Sequence, residues 1–391
     1  MSRESSRSLS PLFVISAIRG VGAQVFMTFL PVYAVSVASM TTPEVGVVSA
    51  IATGISVVFL PVFGYLADFI GRRFVMLIST ILRALAPVVV IFMRSYNGVL
   101  LAYVLSQLSM YSWISARGAF VAESVSGRHM GKTFAALALP MQVSRAIMPY
   151  ISGIIIVYMG YDVIFVMTSL LILLGIPLIF SMGESVRRSQ GEVFSLKEFL
   201  RGLIPKRKEL RLQTFFIVDR ASWRFWMPML NSYLKEYLGL PEDIIGLVST
   251  VRGIASALAV MPSGFLVDAL GWKLGLFLSE TTGALAVLML VLGRSVPLIL
   301  LASALIGLSI ALWTPGFNTS VTIIADDRIE LGRVYSRANF YRVVASVPSP
   351  WIGSILYDIA PVMMFLAGFL GLALNCLVVL TVREEKPTIN H

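Results

Sequence analysis

The chain has 391 residues, 57% of them hydrophobic and 13% charged, with a formal net charge of +10 and a mean hydropathy of +0.85. Soluble domains carry roughly 25% charged residues, so this is membrane composition. A single cysteine, Cys376, excludes an intrachain disulfide and a cysteine metal cluster, and two histidines, His129 in a loop and His391 at the terminus, argue against a histidine metal site; no metal and no cofactor is expected.

Apolar runs long enough to cross a bilayer, which takes ~20 helical residues, recur along the whole chain. Their spacing predicts twelve spans, near 11–38, 44–67, 74–93, 98–120, 133–157, 161–182, 212–235, 244–267, 274–293, 297–322, 334–357 and 360–381. No strand alternation of outer-membrane type accompanies them. The first run continues past residue thirty without a small-residue cleavage site, so it reads as a span and not as a signal peptide.

Basic residues fall on alternate loops. Arg3, Arg7, Arg72, Arg73, Arg128, Lys132, the cluster from Arg187 to Arg211, Lys273, Arg328, Arg333, Arg383 and Lys386 share one side, against Arg94, Lys235 and Arg294 on the other. This asymmetry places both termini in the cytoplasm, in the cell (plasma) membrane, and accounts for the net charge without nucleic acid as a partner. The polar stretch 184–211 reads as a cytoplasmic linker against lipid headgroups, between bundles at 1–183 and 212–391.

A shift of two hundred residues superposes the chain on itself. Gly64-Tyr65-Leu66-Ala67-Asp68-Phe69-Ile70-Gly71-Arg72-Arg73 returns as Gly264-Phe265-Leu266-Val267-Asp268-Ala269-Leu270-Gly271-Trp272-Lys273. Tyr33, Gly46, Ser49, Trp113, Arg128 and Gly153 likewise fall on Tyr233, Gly246, Ser249, Trp313, Arg328 and Gly353. Two parallel six-helix repeats follow. The ten-residue motif fits either a gating latch, Asp68 and Asp268 lying beside basic residues and a helix terminus, or a plain turn with a stop-transfer charge pair. Pro149 with Gly153 and Pro350 with Gly353 fit a gating bend or a packing kink equally.

Two six-helix halves, a long middle loop and the repeated Gly-x-Leu-x-Asp-x-x-Gly-x-Arg/Lys resemble the major facilitator superfamily over essentially the whole chain. The family's usual basic residue after the aspartate is Phe69 here. The resemblance implies an all-α integral membrane fold of two pseudo-symmetric bundles, normally monomeric, moving a solute by alternating access. Its gating residues map to Gly64, Asp68, Gly71, Arg72, Arg73, Gly264, Asp268, Gly271 and Lys273.

Nine arginines, Arg19, Arg83, Arg117, Arg145, Arg220, Arg224, Arg252, Arg337 and Arg342, lie inside the predicted spans, each costing ~2.5–3.5 kcal/mol at a helix centre on insertion scales. Arg19, Arg145, Arg224, Arg252 and Arg342 fall near the midplane, on spans that line the central cavity in the family's architecture. Gln24, Gln142, Trp223 and Asn339 sit near them at helical spacing or at repeat-related positions. Guanidinium groups at that depth suit a carboxylate or phosphate; the alternative is bonding to backbone carbonyls and to Asp219 and Glu280. Arg83, on an outer span, and Arg117, near Glu123, read as structural. Asp219, Glu280 and Glu123 are the candidates for ion coupling.

Gly131-Lys132-Thr133 lacks the upstream glycine and strand of a phosphate loop, and no catalytic constellation is present, so no enzyme is expected. The reading is a secondary active transporter for a small organic solute, anionic in preference, coupled to protons or another ion. Proton-driven efflux of lipophilic drugs is the close alternative, and a transporter-like receptor or scaffold without flux the more distant one. Cation-exporting multidrug members of the family usually carry an acid in the first half's cavity, and the first span has none.

Overall fold

The computed structural model describes residues 3–124, 127–182, 204–207, 209–324 and 328–382. Among them the ordered elements are helices: α1 Arg3–Ser36, α2 Thr42–Phe69, α3 Arg72–Phe92, α4 Tyr96–Ser124, α5 Gly127–Leu173, α6 Gly175–Ser181 and α7 Leu210–Arg224. After a 3-10 turn at Met227–Met229 come α8 Leu230–Glu236, α9 Glu242–Leu270, α10 Trp272–Leu292, α11 Val296–Ile324, α12 Arg328–Ala345, α13 Ser349–Ile359 and α14 Met363–Thr381.

Nine helices among the described residues are long and apolar enough to cross a bilayer, one of them, Leu137–Ser181, running for 45 residues. That stretch is twice a membrane's thickness and turns at Gly160, whose φ of +80° is open to glycine and costly for other residues. It therefore supplies two crossings. Two further crossings are broken helices. Pro228 interrupts α7 and α8, and Pro348 and Pro350 end α12 and start α13. The sum reaches the twelve crossings read from the sequence. Many exposed side chains are large and apolar, among them Phe92, Tyr158, Leu258 and Met261, a surface that water would penalise and lipid accepts.

Packing gathers the chain into two compact units, Met1–Val193 with Asn231–Thr250, and Phe194–Leu230 with Val251–His391. The first unit thus includes α8 and the start of α9, which the sequence reading groups with the second bundle. The reasons are polar and steric. Asn231 Nδ2 donates to Thr28 O at 2.8 Å, the Thr42 N–H donates to Glu236 Oε2 at 2.6 Å, and Tyr161 donates to Glu242 Oε1 at 2.7 Å. Lys235 Nζ completes the group 2.8 Å from Glu242 Oε1. Gly153 lies against the Glu242 carbonyl and Gly246 against that of Pro149, with no room for a Cβ at either. The Pro149–Gly153 segment is accordingly a close-packed helix crossing, and α5 keeps helical dihedrals through it.

Apolar packing is also duplicated. Leu12, Val75, Met76, Trp113 and Phe120 share a core in the first unit. In the second, Leu212, Trp272, Leu276, Phe317 and Val379 do the same.

Candidate functional site

Polar order in each unit begins with a pair of serines. Ser79 Oγ donates to Ser109 O at 2.7 Å while Ser109 Oγ donates to Ser79 O at 2.7 Å, clasping α3 to α4. Two hundred residues on, Ser279 and Ser309 repeat the reciprocal pair at 2.8 Å each, clasping α10 to α11. Small hydroxyl residues let helix backbones approach and close each other's hydrogen bonds where no water is available.

Arg19 of α1 enters the first clasp. Its guanidinium donates to Thr80 Oγ1, Ser79 Oγ and Ser109 Oγ, each at 3.0 Å, and lies over the Trp113 ring with Cζ 4.2 Å from the centroid. Arg19 is 7% exposed, and every one of these partners is neutral. The charges that act on it are Arg83 and Arg117, both of its own sign. Arg83 donates weakly to Ser106 O at 3.4 Å. Beside this cluster α1 and α5 cross closely, Gly20 facing the Met141 backbone. The crossing brings Gln142 and Arg145 onto the helix that flanks Arg19; Gln24 lies further along α1.

Arg342 of α12 takes the corresponding place over the second tryptophan. Its Cζ stands 4.0 Å from the Trp313 centroid and 5.2 Å from that of Phe317, and Trp313 and Phe317 are stacked at 4.5 Å. Cation–π contacts of this kind are worth about 2 kcal/mol when desolvated. Nη2 of Arg342 is 4.0 Å from Asp219 Oδ2. The Trp223 indole lies within hydrogen-bonding reach of Asp219, and so does the Glu280 carboxyl. One further turn along α7, Trp223 and Trp226 pack at 5.3 Å.

The remaining residues singled out from the sequence are spread around these clusters. Arg252 of α9 reaches Met227 Sδ at 3.7 Å, and Arg224 ends α7 half-buried. Asn339 donates back along its own helix to Tyr335 O at 3.0 Å. Arg337 forms a bidentate pair with Glu209, Nε to Oε2 at 2.9 Å and Nη2 to Oε1 at 2.5 Å. The side chains of Glu123 and Asp68, and the surroundings of Gly64, lie outside what the structure describes.

The motif between α2 and α3 and its copy between α9 and α10 have clear local roles. Gly71 and Gly271 hold φ of +100° and +92° at the helix starts, which restricts both positions to glycine. Arg73 then donates to Phe180 O at 2.7 Å, and Lys273 to Leu380 O at 2.8 Å. Each basic residue thus caps the carbonyl end of a later helix, α6 for Arg73 and α14 for Lys273, where the dipole favours a cation. Arg72 folds back to Ala67 O at 3.1 Å, and Asp268 is exposed.

Sequence reasoning missed the serine clasps, Thr80, and Glu209 as the partner of Arg337. The two-hundred-residue shift carried a signal for the clasps, since Ser79 and Ser109 fall on Ser279 and Ser309. Glu209 had none, because it sat in a stretch read as a linker.

A helical membrane protein made by internal duplication, with arginines sequestered in its polar interior, is a solute carrier. The chain belongs to the Major Facilitator Superfamily, whose family model matches residues 12–227 and 213–391. It is similar to the multidrug resistance protein MdtG of Salmonella heidelberg, 22% identical over 374 residues that cover 93% of this chain and 92% of that one. MdtG of Enterobacter lignolyticus gives 22% over 389 residues, with 94% and 92% covered. Among solved structures, a variant of the nucleoside transporter NupG superposes with a TM-score of 0.80 at 12% identity, covering 96% of this chain and 100% of that one. The human organic anion transporter MFSD10 (TETRAN) gives 0.67 at 14% identity, with 96% and 99% covered.

Proposed function

We propose that this carrier moves a small anionic organic solute by alternating access, driven by a gradient of protons or another ion. The observation that carries the reading is the charge balance around Arg19. A guanidinium buried beside two further arginines and bonded to neutral oxygens, three hydroxyls and the Ser109 carbonyl, is costly by itself, and a bound anion would relieve it. Arg19, Gln24, Gln142, Arg145, Trp223, Arg224, Arg252, Asn339 and Arg342 are the residues assigned to the solute. Bidentate guanidinium contacts suit a carboxylate or a phosphate. The stretches 1–183 and 212–391 are the two bodies that rock, joined by 184–211. Both termini lie in the cytoplasm of a cell that carries the protein in its plasma membrane, as a monomer. Gating falls to the repeated glycine–aspartate motif, and no catalytic step is assigned.

Proton-driven efflux of lipophilic compounds is the second reading, and the MdtG relatives favour it. Uptake into proteoliposomes under an imposed pH gradient separates the two. The panel holds small carboxylates, organophosphates and lipophilic cations, with Arg224→Gln and Arg19→Gln beside the wild type. Anion flux lost in the arginine variants supports the proposal. Flux of lipophilic compounds alone, indifferent to both substitutions, overturns it in favour of efflux, and binding without any flux makes the chain a receptor.

A further inference from the structure

Superposing the halves inverts the chemistry of one buried position. Arg19 becomes Asp219 and Thr80 becomes Glu280, while the adjoining serines and the tryptophan are kept as Ser279, Ser309 and Trp313. The first unit has a fixed cation among hydroxyls; the second has two carboxyl groups in the same place. Asp219 is 3% exposed and Glu280 1%. Each carboxyl lies within hydrogen-bonding reach of the other.

Their partners are unequal. Asp219 faces Arg342 across 4.0 Å, and Arg220 and the Trp223 indole are also near it. Both Glu280 oxygens are sealed from solvent and meet no N–H or O–H donor in good geometry. The side chains that act on Glu280 are Asp219 and the Asn375 amide, Glu280 in turn acts on the Cys376 thiol, and Asn375 already donates to Phe215 O at 3.2 Å. Of the other titratable groups facing the cluster, Tyr335 acts on Arg342 alone.

Arg342 balances one negative charge. A second, on Glu280, would stand beside a like charge with only the Asn375 amide near it, and two adjacent carboxylates do not both ionise. A hydrogen bond between two carboxyl groups likewise requires a proton on one of them. A metal ion fits poorly, because hard cations take six or more oxygen ligands and an arginine already occupies the open side of Asp219.

We propose that Asp219 and Glu280 together hold one exchangeable proton, and that this pair is the carrier's coupling-ion site. The O–H of one carboxyl donates to the other; on release the proton passes to water that reaches the pair, leaving a carboxylate in its place. The inference rests on the carrier reading but not on the nature of the solute.

The test is infrared difference spectroscopy on the full-length protein in liposomes, stepped between neutral and alkaline pH with no transported solute present. The carbonyl stretch of a protonated carboxyl stands apart from the carboxylate bands. The wild type should show one such buried band at neutral pH that is lost on alkaline titration. Glu280→Gln should remove it, and Asp162→Asn, at an exposed ion pair, should leave it. Growth on isotope-labelled glutamate should shift the band in the unsubstituted protein, so the test survives a variant that fails to fold. A spectrum with no buried acid band, or a band unchanged in both Glu280→Gln and Asp219→Asn, would overturn the proposal. Because no solute enters the assay, that outcome would leave the anion reading untouched.

Discussion

The buried pair Glu209–Arg337 offers the sharpest energetic test of the second unit. Arg337 is 5% exposed and Glu209 1%, and the two meet through parallel hydrogen bonds of 2.9 and 2.5 Å. Removing one member of such a pair strands the other charge away from water and costs ~3–5 kcal/mol, whereas replacing both with apolar residues is commonly neutral or better. The expectation is therefore non-additive. Glu209→Leu and Arg337→Met should each lower the thermal stability of the detergent-solubilised carrier by ~3–5 kcal/mol, and the double variant should lie within about 1 kcal/mol of wild type. Tryptophan fluorescence during heating reads this directly, since Trp272 and Trp313 belong to the surrounding packing. Single variants within about 0.5 kcal/mol of wild type, or a double variant that simply adds their costs, would refute the argument that desolvation governs the pair.

Four further substitutions probe close packing and polar docking. Gly307→Ala would set a Cβ against the Arg252 carbonyl oxygen, whereas nothing approaches Gly118 within 4 Å. In melts of the solubilised protein the first should therefore cost ~1–3 kcal/mol, and Gly118→Ala should gain ~0.5–1 kcal/mol of helix propensity. In the first unit, Tyr161→Phe removes one hydrogen bond to the Glu242 carboxylate but leaves Lys235 at 2.8 Å. It should cost ~1.5–3 kcal/mol, and Glu242→Gln more, since it weakens both contacts; equal melting temperatures for the two variants would contradict this order.

Much of the fold was legible because the bilayer imposes a simple rule on composition: a crossing must be apolar and about twenty residues long. The breaks were harder to see. Pro228 and Pro348 lie inside runs read from the sequence as single crossings, and the length of such a run does not show where α7–α8 and α12–α13 are interrupted. Gly160 was placed between spans, yet only its positive φ shows how α5 turns there. For the interior, the sequence identified which residues were anomalous but not whom they meet. Arg19 was conspicuous as a charge at midplane; its hydroxyl partners lie sixty and ninety positions away and are unremarkable as letters. Arg337 was conspicuous too, and its partner lay in the basic linker, where an acid reads as solvated. Asp219 and Glu280 were legible as acids inside the bilayer, but their adjacency depends on how α7 and α10 pack.

The paired serines have a practical corollary. Each clasp fixes two antiparallel helices through hydrogen bonds made in both directions, so α3 with α4, and α10 with α11, should travel as stiff hairpins while other segments shift. Spin labels placed across either clasp would then report a distance that stays constant through the transport cycle. Such a pair gives distance spectroscopy its own internal ruler, one in each half of the molecule.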